Sequence, residues 1–513
     1  MKIKLLVLFA IVVAALFIKH SFDKTLNLKL ANGPTLISNV NIVDVEQGTI
    51  VYNQDVMLSN GLITSITSHT ANNIPPNSTS IDATGRFLMP GLWDMHTHSW
   101  KLSPQLHHPL FVASGVTTVR DMSGCLSKND AFWACPHDRQ HWNQQLENGL
   151  HVGPRYIEQS SYQTNGGNEV PGGFDDFFKL GNKADAQKLI EFYKQQGVES
   201  IKPYSELSFE QYTNLVQAAK LAQLKVAGHR PISVTLDTLL DLQQDSIEHA
   251  RVFLFACHPQ AIEFGQLADP IATYNADYIR SMINLRDVES CNRLMQRMSQ
   301  SNTWWSPTLT TLAMGAFAEQ NMESPSPHSH YIPWLVKALL WNPDRKNSYT
   351  KGFDSNQQYV HLDAFNQAQA DLKQAHDMGV RILAGTDSTD TDVYSGISLH
   401  TELAWMVEAG LTPAHAIKTA TYNPAKYSGL LDTAGTVAVN KRADLVLLTD
   451  NPLNDIRNTT SIEAVFLNGQ YVTQTDIQHL KDYASKMASS VVTNLTLIWD
   501  MLTSPLWRVQ LID

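Results

Sequence analysis

The apolar positions of this chain change period three times, and each change marks a different kind of unit. Over residues 35–88, short β-rich runs such as Leu36-Ile-Ser-Asn-Val-Asn-Ile-Val-Asp-Val and Gly61-Leu-Ile-Thr-Ser-Ile are set off by turn residues, which predicts a small β unit. From residue 87 the pattern becomes eight short apolar strands, at 87–95, 116–120, 155–159, 200–202, 225–228, 246–248, 304–307 and 381–385. Helical windows such as 184–196, 209–222 and 365–378 lie between them. Eight strand–helix units over roughly 340 residues is the arithmetic of a (β/α)8 barrel. Strands return over 435–472, in Asp444-Leu-Val-Leu-Leu and Ala464-Val-Phe-Leu-Asn-Gly, and are expected to complete the first β unit. The reading is an α/β fold: a (β/α)8 TIM barrel at 89–434, a small composite β-sandwich from 35–88 with 435–475, and a helical extension at 476–513. In that extension Leu480, Tyr483, Met487 and Val491 recur at spacings of three and four, read as a packing face.

The N-terminus follows another rule. After Met1, Lys2 and Lys4 comes an apolar run, Leu5 to Ile18, of about 14 residues; a spanning helix needs roughly 20, so the run suits the h-region of an export signal. Val13-Ala14-Ala15 is a weak cleavage site, and residues 1–20 are read as a signal peptide or an uncleaved anchor that could tether the chain to a membrane. The expected location is exported, periplasmic or extracellular. The four cysteines fit that compartment as disulfides. Three connectivities are possible, and Cys125–Cys135 with Cys257–Cys291, each bracketing one loop, is the favoured one. Asn77, Asn458 and Asn494 stand in N-x-Ser/Thr triplets, which matter only in a host that glycosylates.

Composition narrows the function. With 513 residues, 43% of them hydrophobic and 17% charged, the chain can bury a large core, which excludes disorder and fibrous structure. A net charge of −11 with no Lys/Arg cluster longer than a pair leaves no electrostatic footprint for nucleic acid. A small-molecule substrate is expected instead, and a homo-oligomer stays open.

Candidate chemistry gathers where a barrel places it, at the C-terminal ends of the strands. The first strand ends Asp94-Met-His96-Thr-His98, whose i, i+2 spacing turns both imidazoles to one side of an extended chain. The fourth ends in Lys202, the fifth in His229, the sixth in His249 and the eighth in Asp387. Each alone has a bland reading as a core histidine, a helix N-cap or a snorkelling lysine. Six of them in the right order on the right strand ends point to a metal site.

These phrases resemble the amidohydrolase superfamily: Met89-Pro-Gly-Leu-Trp-Asp-Met-His-Thr-His98, Gly115-Val-Thr-Thr-Val-Arg-Asp121, Ile201-Lys-Pro-Tyr204, Val226-Ala-Gly-His229, Ser246-Ile-Glu-His249, Ala384-Gly-Thr-Asp387 and Lys441-Arg-Ala-Asp-Leu-Val446. The likeness runs from about residue 35 to 475 and is strongest to the imidazolonepropionase-like and Xaa-Pro or Xaa-Arg dipeptidase branch. It implies one or two divalent metal ions, commonly zinc. His96, His98 and Asp387 would hold the buried ion, His229 and His249 the outer one, and Lys202 would bridge them. An ammonium has no lone pair, so the bridge requires a carbamate on Lys202, derived from carbon dioxide. Asp387 would be the general base and acid of hydrolysis.

Tyr204 lies two residues beyond Lys202 on the same face, where the resemblance to the dipeptidases implies contact with the substrate's carboxylate; His400 is expected to line the pocket and Arg230 to pair an anionic substrate. The long connections at 122–150, 160–182 and 310–360 are read as loops covering the pocket. The expected activity is hydrolysis of an amide C–N bond in a dipeptide or N-acyl amino acid; the alternative is a cyclic amide, lactone or other ester. Relatives that deaminate carry a glutamate three residues after the fifth-strand histidine, where this chain has Ile232. A catalytically dead scaffold is disfavoured because all six positions are filled.

Overall fold

The computed structural model describes residues 26, 30, 33–70, 78–126, 129–267 and 270–510. The apolar run at 5–18 and the triplet at Asn77 lie outside the described residues. Five strands open the chain: β1 (Thr35–Asp44), β2 (Thr49–Ser59), β3 (Leu62–Ser68), β4 (Thr79–Asp82) and β5 (Phe87–Pro90). Then come β6 (Leu92–Thr97), β7 (Val116–Asp121), β8 (Arg155–Ile157), β9 (Ser160–Thr164), β10 (Ser200–Pro203), β11 (Lys225–Gly228), β12 (Ser246–Glu248), β13 (Trp304–Ser306) and β14 (Arg381–Ile382). The last are β15 (Leu445–Leu448), β16 (Ile462–Leu467) and β17 (Gln470–Val472).

The two ends of the chain share one sheet, ordered β17-β16-β15-β5-β1-β2-β3 with β4 beside β1. The join is antiparallel, Val446 opposite Met89 and Leu447 opposite Leu88. Ile37, Val56, Leu88, Leu445, Leu447 and Phe466 make its own apolar core, the burial that draws two distant segments together.

The middle of the chain makes parallel strands only, in a three-stranded sheet β6-β7-β8 and a six-stranded sheet β14-β13-β12-β11-β10-β9. Two of the expected strands divide. The run at 87–95 breaks at Gly91, so that β5 joins the antiparallel sheet and β6 the parallel one; a Cβ at Gly91 would stand 2.1 Å from Thr117 Oγ1. The run at 155–159 ends at Glu158, which has a left-handed φ of 52°; β8 then pairs with β7 and β9 with β10. Beyond β14 the chain runs along β6, where the Ala384 carbonyl accepts from Met95 N at 2.9 Å and the His96 carbonyl from Asp387 N at 2.8 Å. Thr97 and Ser388 form a parallel bridge there.

Helices flank these strands close to the predicted windows, at Lys183–Lys194, Phe209–Leu221 and His361–Asp377. Ser208 caps the second through a box in which its hydroxyl accepts from Gln211 N and the Gln211 side chain accepts from Ser208 N. Both disulfides pair as the loop spacing favoured, Cys125 with Cys135 and Cys257 with Cys291.

The extension folds as helices Gln474–Ser489, Val491–Thr503 and Pro505–Gln510. Leu480 and Met487 are buried as expected, but Val491 is exposed. Ser490, with extended φ and ψ, ends one helix and caps the next, which breaks the spacing that had tied Val491 to the packing face. No helix among the described residues is long and apolar enough to cross a membrane.

Candidate metal centre and its cavity

Side chains that alternate along parallel strands converge where the strands end, and the residues singled out from the sequence stand there. The rings of His96 and His98 stack with centroids 5.5 Å apart and planes 9° apart. Asp387 joins the cluster: its Oδ1 lies 3.3 Å from His96 Nε2 and 3.0 Å from His98 Nε2, and its Oδ2 lies 3.7 Å from His249 Nδ1. His249 Nε2 stands 3.0 Å from His229 Nε2. The ligand atoms of His96, His249 and Asp387 all lie within 4.8 Å of one another. Lys202 is buried beside them, within the fields of Asp387, Glu248 and Asp121.

The backbone here is held in unusual conformations. His249, Asp387 and Thr308, none of them glycine, have φ of 73°, 63° and 43°. Such residues persist only where neighbours fix them, and here the Ser306 carbonyl accepts from His249 N and the His96 carbonyl from Asp387 N, each at 2.8 Å.

Electrostatics leave the imidazole lone pairs free. Burial disfavours a charged ring, holding His249 at about 3 and His229 well below the ordinary value; burial and the Lys202 charge lower His98. Burial alone would raise Asp387, but His96 and His98 beside it hold the carboxylate well below its usual range. Burial also lowers the Lys202 ammonium, against the opposing pull of Asp387, Glu248 and Asp121.

A second layer orients this one. Glu248 Oε2 accepts from His96 Nδ1 at 2.9 Å, while its Oε1 accepts from Arg120 at 2.7 Å and from the Ser246 hydroxyl at 2.5 Å. Burial would raise Glu248, yet Arg120 and His96 bring it down to about 2. Asp94 ties β6 to the strand end of Asp387: its oxygens accept from Thr386 N at 3.0 Å and Thr386 Oγ1 at 2.6 Å. His249 Nδ1 lies 2.8 Å from Thr308 Oγ1, and His229 Nδ1 lies 3.0 Å from Ser205 Oγ.

A cavity of about 880 Å³ opens over Asp387 and His98, lined among others by Trp133, Tyr204, Trp341, Asp344 and Asp390, with no lysine or arginine among the described lining residues. Tyr204 stacks on His229 at 4.2 Å. Trp133 is buried, its Nε1 has no hydrogen-bond partner, and the Cys125–Cys135 disulfide closes the loop that carries it. Of the three long connections, 122–150 and 310–360 line this cavity and 160–182 does not. They are largely helical, with Pro136–Glu147, Leu309–Ala316 and Asn342–Lys351 in place of open loops.

Two expected substrate residues stand elsewhere. Arg230 donates to the carbonyls of Pro231, Ile232 and Val234 and lines a separate cavity of about 250 Å³. Its neighbour His229 faces the centre, and adjacent residues of an extended chain point apart. His400 is held between Thr459 Oγ1 at 2.8 Å and the Ser114 carbonyl at 2.9 Å, just before β7 begins and so at the opposite strand end. Glu248, Trp133 and Asp390 were missed as site residues. Glu248 stood in a quoted motif, immediately before His249, and the carboxylate next to a ligand histidine was the one available signal.

The family model described as "Amidohydrolase family" matches residues 87–472. Solved structures resemble the chain over nearly all its length. Bottromycin amidohydrolase is 19% identical, with 88% of this chain and 90% of that one covered and a TM-score of 0.65. A Xaa-Pro dipeptidase solved with bound methionine is 19% identical, covering 86% and 100%, with a TM-score of 0.59. Molinate hydrolase is 19% identical, covering 90% and 97%, with a TM-score of 0.58. No curated protein sequence matches. A match over three quarters of the chain, on the strands that carry the histidine and aspartate cluster, shows that the chain belongs to the amidohydrolase family.

Proposed function

We propose that this chain is a metal-dependent hydrolase that cleaves an amide C–N bond in a small molecule of the dipeptide or N-acyl amino acid kind. The observation that carries the reading is a cluster of buried ring nitrogens gathered around the Asp387 carboxylate. His96 Nδ1 donates to Glu248, which leaves His96 Nε2 buried without a hydrogen bond beside Asp387. With the Nδ1 atoms of His229 and His249 donating to Ser205 and Thr308, their Nε2 lone pairs face each other at 3.0 Å. That arrangement is repulsive when bare and suits two ligands of one ion, since nitrogens about 2.1 Å from a tetrahedral metal stand roughly 3.4 Å apart. His96, His98, Asp387, His229 and His249 are thus the residues to hold one or two divalent ions, zinc foremost. Lys202, with burial favouring its neutral amine, is placed to take up carbon dioxide as a carbamate and bridge two ions.

When bound, such an ion supplies a water whose pKa falls from about 15.7 toward 7 and polarises the substrate carbonyl. Asp387 accepts the proton of the attacking water and delivers it to the leaving nitrogen as the C–N bond breaks. Glu248 keeps His96 in the tautomer that presents Nε2 to the centre. Trp133 and Tyr204 line the cavity and supply aromatic surface for a substrate. The aromatic wall of Trp133, Tyr204 and Trp341, with no lysine or arginine among the described lining residues, favours a second reading, an uncharged cyclic amide, lactone or other ester. In architecture we propose that the two parallel sheets form one (β/α)8 barrel over 89–434, joined at Glu158 and along β6, with the composite sandwich at 35–88 and 435–475. The apolar run at 5–18 supports export to the periplasm or outside the cell.

The test is hydrolysis of a dipeptide and N-acyl amino acid library by metal-reconstituted protein prepared with bicarbonate, beside Asp387→Asn. Turnover of a coherent subset, absent in the variant, supports the amide reading. Silence with metal bound removes it in favour of the cyclic amides and esters.

A further inference from the structure

Helix Val491–Thr503 is built inside out. Its inward face carries polar side chains, Thr493, Asn494, Thr496 and Asp500, all buried beside Leu497 and Met501. These polar groups are used: Asn494 Oδ1 accepts from Leu335 N at 2.9 Å, and Asn494 Nδ2 donates to the carbonyls of Ala488 and Ser490, each at 2.8 Å. The same burial closes Asn494 to glycosylation in the folded chain. The outward face is apolar. Val491, Leu495, Trp499 and Leu502, at spacings of four, four and three, form one stripe and are 61%, 43%, 44% and 60% exposed. Trp334 and Leu339, on the segment that Asn494 holds, are also exposed. Asp500 is the one charged residue between Lys486 and Arg508, and it points inward. An apolar stripe of this length with no charge upon it is uncommon on a water-facing helix and marks an interaction surface.

The chain outside the described residues indicates what covers it. Leu26 and Leu30 pack against the cluster that contains Ile477 and Leu480, on the helix directly before this one. The seven residues between Ile18 and Leu26 can span at most about 25 Å when fully extended. The apolar run Leu5 to Ile18, read from the sequence as an export signal or an anchor, thus ends in the chain with seven residues between it and Leu26. Exposed tryptophan with leucine and no charge is also the composition that settles at the level of lipid headgroups.

We propose that the Val491–Thr503 stripe, with Trp334 and Leu339, rests on a lipid bilayer surface. Leu339 and Trp507 also line the cavity over the metal centre, so the mouth of that cavity would lie at the bilayer. This does not depend on the hydrolase reading, and its readout is not activity. Full-length protein is mixed with phosphatidylcholine vesicles carrying brominated acyl chains, and tryptophan emission is recorded for wild type, Trp499→Phe and the double variant L495S/L502S. The expected result is quenching of the wild type, a smaller fractional quenching in Trp499→Phe, and a loss of the Trp499 share in the double variant even where residues 1–20 keep it on the vesicle. Equal fractional quenching in all three overturns the proposal. So does a change of oligomeric state by light scattering in L495S/L502S with quenching unaltered, which assigns the stripe to a second copy of the chain.

Discussion

Glu248 holds His96 by the nitrogen turned away from the candidate metal centre, with Oε2 2.9 Å from Nδ1. Both side chains are fully buried, and the other carboxylate oxygen is occupied by Arg120 and Ser246. The imidazole is thereby fixed in ring orientation and in tautomer. Outer carboxylates of this kind typically change metal affinity or activity 10–100-fold when replaced. Glu248→Gln is expected to weaken metal binding by about that factor, read by competition with a chromophoric chelator. It also removes one of the two carboxylates beside buried Arg120, leaving Glu158 at 3.7 Å as its remaining ion-pair partner, so the thermal midpoint of the metal-free protein falls as well. Unchanged metal affinity would remove Glu248 from the centre.

Much of the centre could be read from the chain because each candidate ended an apolar run, and strand ends are where side chains converge. The helices at 183–194, 209–221 and 361–377 were legible for a similar reason, a single buried stripe. What escaped depends on partners far apart in sequence. Glu248 acts through Arg120, 128 residues away, and no spacing announces that. Arg230 and His400 were misplaced for opposite reasons: Arg230 adjoins a site residue but alternation turns it outward, and His400 begins a helix whose direction was not known. At the break at Gly91 only a glycine fits, because a Cβ there would meet Thr117, a residue of another strand. The helix at 491–503 defeats hydrophobic patterning, since its inward face mixes Thr493, Asn494, Thr496 and Asp500 with Leu497 and Met501.

Asp387 touches His96 and His98 and borders the cavity, the placing required of a group that moves a proton between water and a leaving nitrogen. Asp387→Asn preserves shape and removes the base. A general base contributes about 10²–10⁴ in rate, and here a negative ligand is lost with it, so kcat is expected to fall below detection while circular dichroism is unchanged. Substantial turnover by this variant would eliminate the assignment.

Lys202 tests the bridging carbamate directly. Carbamylation joins the neutral amine to carbon dioxide with release of one proton, so it needs the depressed ammonium that burial supplies. Protein reconstituted with ¹³C-bicarbonate should show a carbonyl resonance that is absent in Lys202→Arg, and Lys202→Arg should lose the second equivalent of metal. A wild-type spectrum without that resonance, at full metal occupancy and activity, would establish an unmodified lysine beside a single ion.

Two buried glutamates give the metal-free protein opposite responses to pH. Glu248, at about 2 against an ordinary 4.5, is charged in the fold and favoured there. A depressed carboxyl stabilises above the unfolded value and loses that contribution as pH falls toward the folded one, so the loss runs from about 4.5 to 2 and amounts to on the order of 3 kcal/mol. Glu402 lies on the other side: burial raises it to about 8, although it accepts from Leu309 N and Thr310 N at 2.9 and 3.0 Å. The fold then keeps a proton that the unfolded chain releases, and stability declines as pH rises from about 4.5 to 8, by on the order of 4 kcal/mol. Urea denaturation of the chelated protein across this range should therefore show Glu248→Gln flattening the acid limb, and Glu402→Gln flattening the alkaline limb while gaining stability at pH 8. If Glu402→Gln instead loses stability at pH 8 as much as at pH 5, the carboxylate is ionised in the fold, and its two backbone hydrogen bonds outweigh its burial.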